Sequence, residues 1–206
     1  MKIILQIVVC CWLFIPGPFV STVLGSENDT KMEKAIFAGG CFWCVEHLFD
    51  EVEGVTSTIS GYTGGHKVNP KYKEVSSGRT GHTEAVEVIF DSEQVSYEEL
   101  LRIFWVNIDP TTSHRQFCDY GEQYRPGIFY FNEKQKKLAV KSRVEVEKTK
   151  SFAAPILTEI TKAGRFYPAE DRHQNYHHKN PYQYKFYRYN CGRDKRLKEL
   201  WGNDKD

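Results

Sequence analysis

The chain has 206 residues, a net charge of +1 and 40% hydrophobic residues. That length supports one domain with a core large enough to fold without staples. Charges of both signs are mixed along the chain, which gives no electrostatic case for nucleic acid or a membrane surface.

The N-terminus reads as a targeting segment. After Lys2, Ile3 to Ile15 is apolar except for Gln6, and Pro16-Gly17-Pro18 breaks it. The run falls short of the ~20 apolar residues that span a bilayer. Val23-Leu24-Gly25 then offers a small residue before Ser26. Residues 1–25 are therefore expected to be a secretory signal peptide, with Cys10 and Cys11 removed alongside it. An uncleaved anchor reaching through Phe19 and Val20 is the rival. The mature protein is expected to be exported, periplasmic or secreted, and free of the membrane. Residues 26–33 are polar and read as a linker; 34–202 read as the functional domain.

Ala35 to Ala38 is a short apolar run ending in Gly39-Gly40, a buried strand and tight turn. Val45, Leu48, Phe49 and Val52 recur at helical spacing, so Cys41 should stand at a helix N-terminus. Val55–Ile59 and Ala85–Phe90 read as strands. Ser96-Tyr97-Glu98-Glu99 has the pattern of a capping box opening a helix through Trp105, which ends before Pro110. Ile128–Phe131 reads as a strand, Glu133–Lys150 as a long solvated helix and Ile156–Ile160 as another strand. Asp171 is expected to cap a short helix holding His173 and His177. Tyr crowds the last third, as an aromatic pocket lining or a Tyr-rich surface. The alternation predicts an α+β fold: a ferredoxin-like two-layer sandwich with an extra helix and strand and an extended C-terminal segment.

Four cysteines remain after the leader: Cys41, Cys44, Cys118 and Cys191. Cys41 and Cys44 form a C-x-x-C, which points to redox or metal chemistry. A thiolate is the attacking form of cysteine, and a helix N-terminus supplies partial positive charge to favour it. The strand, Gly-Gly turn, Cys, helix order therefore reads as an accessible, activated sulfur. A buried structural Cys is the plainer reading, and C-x-x-C pairs also bind zinc.

Gly40-Cys41-Phe42-Trp43 resembles the signature of A-type peptide methionine sulfoxide reductases. Gly61-Tyr62-Thr63-Gly64-Gly65, Asn69-Pro70-Lys71-Tyr72, Ser77-Gly78-Arg79-Thr80-Gly81-His82-Thr83-Glu84-Ala85, Asp109-Pro110-Thr111-Thr112 and Asp119-Tyr120-Gly121-Glu122-Gln123-Tyr124-Arg125 are similar to that family in its order. Ala169-Glu170-Asp171, His173-Gln174 with Tyr176, and Lys179-Asn180-Pro181-Tyr182 continue the match to about Trp201. Such enzymes restore oxidised methionine. The resemblance implies that Cys41 attacks the sulfoxide sulfur of the S epimer and becomes a sulfenic acid. It implies Glu84 as the proton donor, a role that suits a carboxyl raised by an apolar pocket. Without the resemblance Glu84 reads as an ordinary exposed strand residue. Tyr72 and Tyr124 correspond to hydroxyl donors to the sulfoxide oxygen, and Asp119 to a carboxylate organising them. Phe42 and Trp43 correspond to the wall around the substrate methyl group. No bound cofactor is implied; the external reductant is a thioredoxin-like protein or a dithiol. The enzyme is expected to act as a monomer.

Two residues depart from the common pattern: Cys44, where Gly is frequent, and Cys118, where a small polar residue is frequent. Cys191, in Tyr189-Asn190-Cys191-Gly192, is the first choice of resolving thiol, because the family often carries it in a mobile tail. Cys44 follows as alternative resolver or relay, and Cys118 reads as a small buried hydrophobe. His173 and His177 have i, i+4 spacing without a metalloprotease acid between them, so no metal is expected. Two rival functions remain. One is a general thiol–disulfide oxidoreductase on Cys41 and Cys44. The other is a zinc module built from Cys41, Cys44, Cys191 and a His.

Overall fold

A computed structural model describes residues 31–202. The expected leader, and most of the expected linker, lie outside them. The first strand, β1 (Met32–Ala38), begins inside the segment read as linker. Its side chains alternate between two cores: Ala35 and Phe37 pack on one face of the sheet, Ile36 and Ala38 on the other. Burial on both faces explains why the strand reads as an unbroken apolar run.

β1 is flanked by antiparallel β3 (Thr83–Asp91) and β6 (Gly127–Tyr130), and β2 (Val55–Thr63) pairs antiparallel with β3. Helix α1 (Phe42–Asp50) links β1 to β2, and α3 (Tyr97–Trp105) lies between β3 and β6. Both helices pack on the face that buries Phe37, through Phe49, Leu100 and Phe104. Ser96 caps α3 by accepting the Glu99 N–H at 3.1 Å. A parallel strand, β7 (Glu159–Lys162), adds to β6, and the two-residue β8 (Tyr167–Pro168) adds to β2. The full order is β7-β6-β1-β3-β2-β8. The fold is thus α+β, on a central, mostly antiparallel sheet. Helix α4 (Glu133–Thr149) is largely exposed, as its charge pattern predicts. No helix of the described residues is long and apolar enough to cross a membrane.

Three expectations need correction. Residues 156–158 do not open a strand: the Leu157 N–H bonds Pro110 O, and pairing with β6 starts at Glu159. The short helix α5 (Tyr176–Lys179) begins at Asn175, in the left-handed region, leaving Asp171 and His173 outside it. The C-terminal segment is neither extended nor a loose tail. It forms α6 (Pro181–Asn190) and α7 (Arg193–Trp201). Leu197 and Leu200 anchor α7 in the interior, and buried Arg193 donates to Gly39 O at 3.1 Å and Asn107 O at 2.7 Å. Three small elements carry no strong sequence pattern. They are α2 (Tyr72–Val75) and the hairpin of β4 (Arg115–Gln116) and β5 (Asp119–Tyr120).

Candidate active site

The sheet centre delivers Cys41, the expected nucleophile. β1 runs into the Gly39–Gly40 turn, where Gly40 adopts φ +84° and a Cβ would lie 2.6 Å from Gln116 Cβ. Only glycine closes the turn there without strain. Cys41 follows as the N-cap of α1, as its sequence context predicts. Its side chain opens on a pocket of about 160 Å³, small enough to hold one side-chain terminus.

Glu84 lines the same pocket from β3, opposite Tyr62 of β2, and is 2% exposed. It accepts the Phe42 N–H at 3.0 Å, so the carboxyl sits at the start of α1. Burial pushes its pKa up to about 8; the Phe42 hydrogen bond opposes this and the Asp119 charge adds to it. Glu84 therefore holds a proton at neutral pH. The exposed-strand reading is overturned.

Tyr72 and Tyr124 reach the pocket from α2 and from a 3₁₀ turn over Glu122–Tyr124. Burial, then the Glu84 charge, pushes the Tyr72 hydroxyl up to about 12, and the same causes raise Tyr124 further. Both remain donors across the physiological range. Glu170 fixes the rim: it accepts the Tyr72 N–H at 3.1 Å and the Tyr62 hydroxyl at 3.0 Å. Asp119 comes from β5 and accepts the Tyr187 hydroxyl at 2.5 Å. Burial raises the Asp119 carboxyl, while that hydrogen bond and the Arg193 charge oppose the rise.

Phe42 and Trp43 line the pocket beside Cys41. Trp43 stacks on Tyr176, with centroids 3.8 Å apart and planes within 9°. His173, buried, packs on Tyr72 at 4.3 Å and Phe42 at 5.3 Å. Sequence reasoning missed Tyr187, and it named Glu170 and Tyr176 only as parts of matched segments, without a role. The crowding of tyrosines was the available signal, and it means both things: Tyr187 lines the pocket, while Tyr182 and Tyr189 are exposed.

The thiols are arranged differently from the expectation. Burial first, then its hydrogen bond to Cys44 and the charges of Cys44, Glu84 and Asp119, raises the Cys41 pKa well above that of a free thiol. Cys44 moves the other way, held down by the hydrogen bond from Cys41 and then by Arg193 and Arg188. At Cys41, burial first and then the Cys44 hydrogen bond and the nearby charges oppose the helix N-terminus. Cys44 lines a second cavity, beside Arg188 and Arg193. Cys191 caps α6 and is bonded to Cys118, with Cα atoms 4.9 Å apart. Cys118 is exposed, so it is not a buried hydrophobe. Among the described residues the free cysteines are Cys41 and Cys44. Cys191 is not available as a thiol in this state, which also removes it from the zinc set considered above. His173 stands at the pocket rim and His177 beside Asp50, so that pair does not converge.

The comparisons agree with this geometry. A family model described as "Peptide methionine sulfoxide reductase" matches residues 33–205. The peptide methionine sulfoxide reductase MsrA of Bacillus licheniformis is 51% identical over 176 residues, covering 85% of this chain and 97% of that one. Methionine sulfoxide reductase A of Corynebacterium diphtheriae superposes with a TM-score of 0.70 at 39% identity, covering 73% of this chain and 76% of that one. Mxr1 of Saccharomyces cerevisiae in its reduced form gives 0.69 at 31% identity, covering 73% and 87%.

Proposed function

Because the chain belongs to the peptide methionine sulfoxide reductase family, which repairs oxidised proteins by reducing methionine sulfoxide, we propose the following division of labour in its pocket. Cys41 gives up its thiol proton to solvent and attacks the sulfoxide sulfur as the thiolate. Glu84 protonates the oxygen, while Tyr72 and Tyr124 donate hydrogen bonds to it. The oxygen moves to Cys41 as a sulfenic acid and methionine leaves, so the Cys41 sulfur is oxidised by the two electrons that the substrate sulfur gains. Phe42 and Trp43 hold the methyl group and select the S epimer. One observation carries this reading: a buried, protonated Glu84 shares a small pocket with Cys41. The test is single-turnover reduction of separate S and R methionine sulfoxides by wild type and Glu84→Gln. Equal rates for the two epimers, or an unimpaired variant, contradict it.

Regeneration starts at Cys44, the nearest free thiol, which condenses with the Cys41 sulfenic acid and releases water. Cys191 enters afterwards. An external dithiol opens the Cys118–Cys191 bridge and leaves oxidised; freed Cys191 attacks the Cys41–Cys44 disulfide, and Cys118 then takes Cys191 back into the bridge, leaving Cys41 and Cys44 as thiols. Exposure of Cys118 and burial of Cys41 and Cys44 support this order, since a protein reductant reaches only the exposed pair. A thioredoxin-like protein is the proposed reductant; yeast Mxr1 has been solved in complex with Trx2.

The core β1-α1-β2-β3-α3-β6 unit is proposed as a ferredoxin-like sandwich, supported by the antiparallel order β6-β1-β3-β2 with both helices on one face. Export, with removal of residues 1–25, is supported by the apolar leader, which is too short to span a bilayer and ends at a small residue before Ser26. The mature enzyme is proposed to act as a monomer, free of the membrane.

A further inference from the structure

Away from the pocket, the last residue of α1 meets α5. Asp50, His177 and His178 bring one ligand atom each to within 4.8 Å of one another. The Asp50 carboxylate is oriented by Thr58, whose hydroxyl donates to Oδ1. Its Oδ2 is buried without a hydrogen-bond partner and lies 3.4 Å from His177 Nε2. His177 is 5% exposed, and neither of its ring nitrogens makes a hydrogen bond. Buried polar atoms are nearly always satisfied, and here a carboxylate oxygen and an imidazole face each other at ion-pair distance without a hydrogen bond, a geometry that an ion bound to both would satisfy.

Adjacent residues of a long helix point apart. Here α5 is a single turn entered through left-handed Asn175, and the His177 and His178 rings lie 4.0 Å apart. We propose that Asp50, His177 and His178 form a binding site for a zinc-class divalent metal ion. Two imidazoles and one carboxylate suit such borderline ions and disfavour calcium and magnesium, which take oxygen ligands. Ligands at ~2.0–2.1 Å in a tetrahedron stand ~3.3 Å apart. The Asp50–His177 separation already meets that spacing. Exposed His178 closes the remaining gap with a rotamer change, and water completes the sphere on the solvent side. The ion would pin α5 to the end of α1. Tyr176, the first residue of α5, is the one stacked on Trp43 in the pocket wall.

The test titrates zinc chloride into the protein by calorimetry, in a Cys41→Ser/Cys44→Ser background that removes competing thiols. Cys10 and Cys11 are also replaced by Ser where the chain retains them. Cobalt(II) spectra then report ligand type, since thiolate ligands add strong near-ultraviolet charge transfer that nitrogen and oxygen ligands lack. One equivalent of zinc should bind, with a nitrogen–oxygen cobalt spectrum. Affinity should fall at least ~10-fold in both His178→Ala and Asp50→Asn. His178 is exposed and Asn is close in shape to Asp, so circular dichroism should confirm both variants folded. Absence of stoichiometric binding, or unchanged affinity in both variants, overturns the site.

Discussion

Replacing Glu84 by Gln should damage catalysis and raise stability together, in a pH-dependent way. The carboxyl has a pKa of about 8 in the folded protein against an ordinary 4.5, mainly because it is buried. Below about 4.5 the folded and unfolded chains both hold the proton. As pH rises the unfolded chain releases it first, so stability is lost progressively until pH passes about 8. At pH 7 the gap already spans ~2.5 units at ~1.4 kcal/mol each, or ~3 kcal/mol. Gln has no such titration. It can still accept the Phe42 N–H, and any cost of its amide group does not vary with pH. Guanidinium unfolding of both proteins at pH 4 and pH 7, with the Cys118–Cys191 bridge intact, isolates the effect. The stability of Glu84→Gln relative to wild type should grow by ~3 kcal/mol over that interval. Sulfoxide reduction should fall ~10²–10⁴-fold in a single turnover. A stability difference that stays flat with pH would refute a buried, protonated Glu84.

Other substitutions probe the remaining parts. Cys44→Ser should complete one turnover and then stall; peptide maps of wild type after one equivalent of sulfoxide should contain a Cys41–Cys44 bridge, and a Cys41–Cys191 bridge instead would reverse the proposed order. Tyr176→Ala removes the ring stacked on Trp43, worth ~0.5–1.5 kcal/mol, so KM should rise ~3–10-fold with little change in kcat; an unchanged KM means the stack does not shape the pocket. Arg193→Met strands the Gly39 and Asn107 carbonyls, each costing ~1–3 kcal/mol. Its unfolding midpoint should drop accordingly, and a midpoint equal to wild type would show that α7 is not fastened there.

Much of the sheet was legible because its strands are short apolar runs bounded by glycine or charge, and α3 because Ser96 caps a clear period. The position of Cys41 was legible for the same local reason: a strand, two glycines and a helix start fix where it stands. The acid was not. Burial of Glu84 depends on Phe42, 42 residues away, and on a pocket whose walls include Tyr124 and Tyr187, none of which a local window contains. The C-terminal helices were missed because Tyr182, Phe186 and Tyr189 place large apolar groups on the exposed side of α6, which blurs its period. In α7 the anchoring face is Arg193, Leu197 and Leu200, and an arginine reads as solvent-facing unless its carbonyl partners are known. Cys118 and Cys191 are 73 residues apart, and only the packing of α6 against the β4–β5 hairpin brings them into bonding distance.

The central claim is that Cys41 carries the oxygen. It is tested most directly by mixing Cys44→Ser with excess S methionine sulfoxide, without reductant, in the presence of a sulfenic-acid-specific dione probe. One equivalent of methionine should form, and mass spectrometry should find the probe on Cys41. The matching Cys41→Ser/Cys44→Ser protein should form no methionine. Stoichiometric methionine from the double variant, or probe on any other residue, would contradict the account.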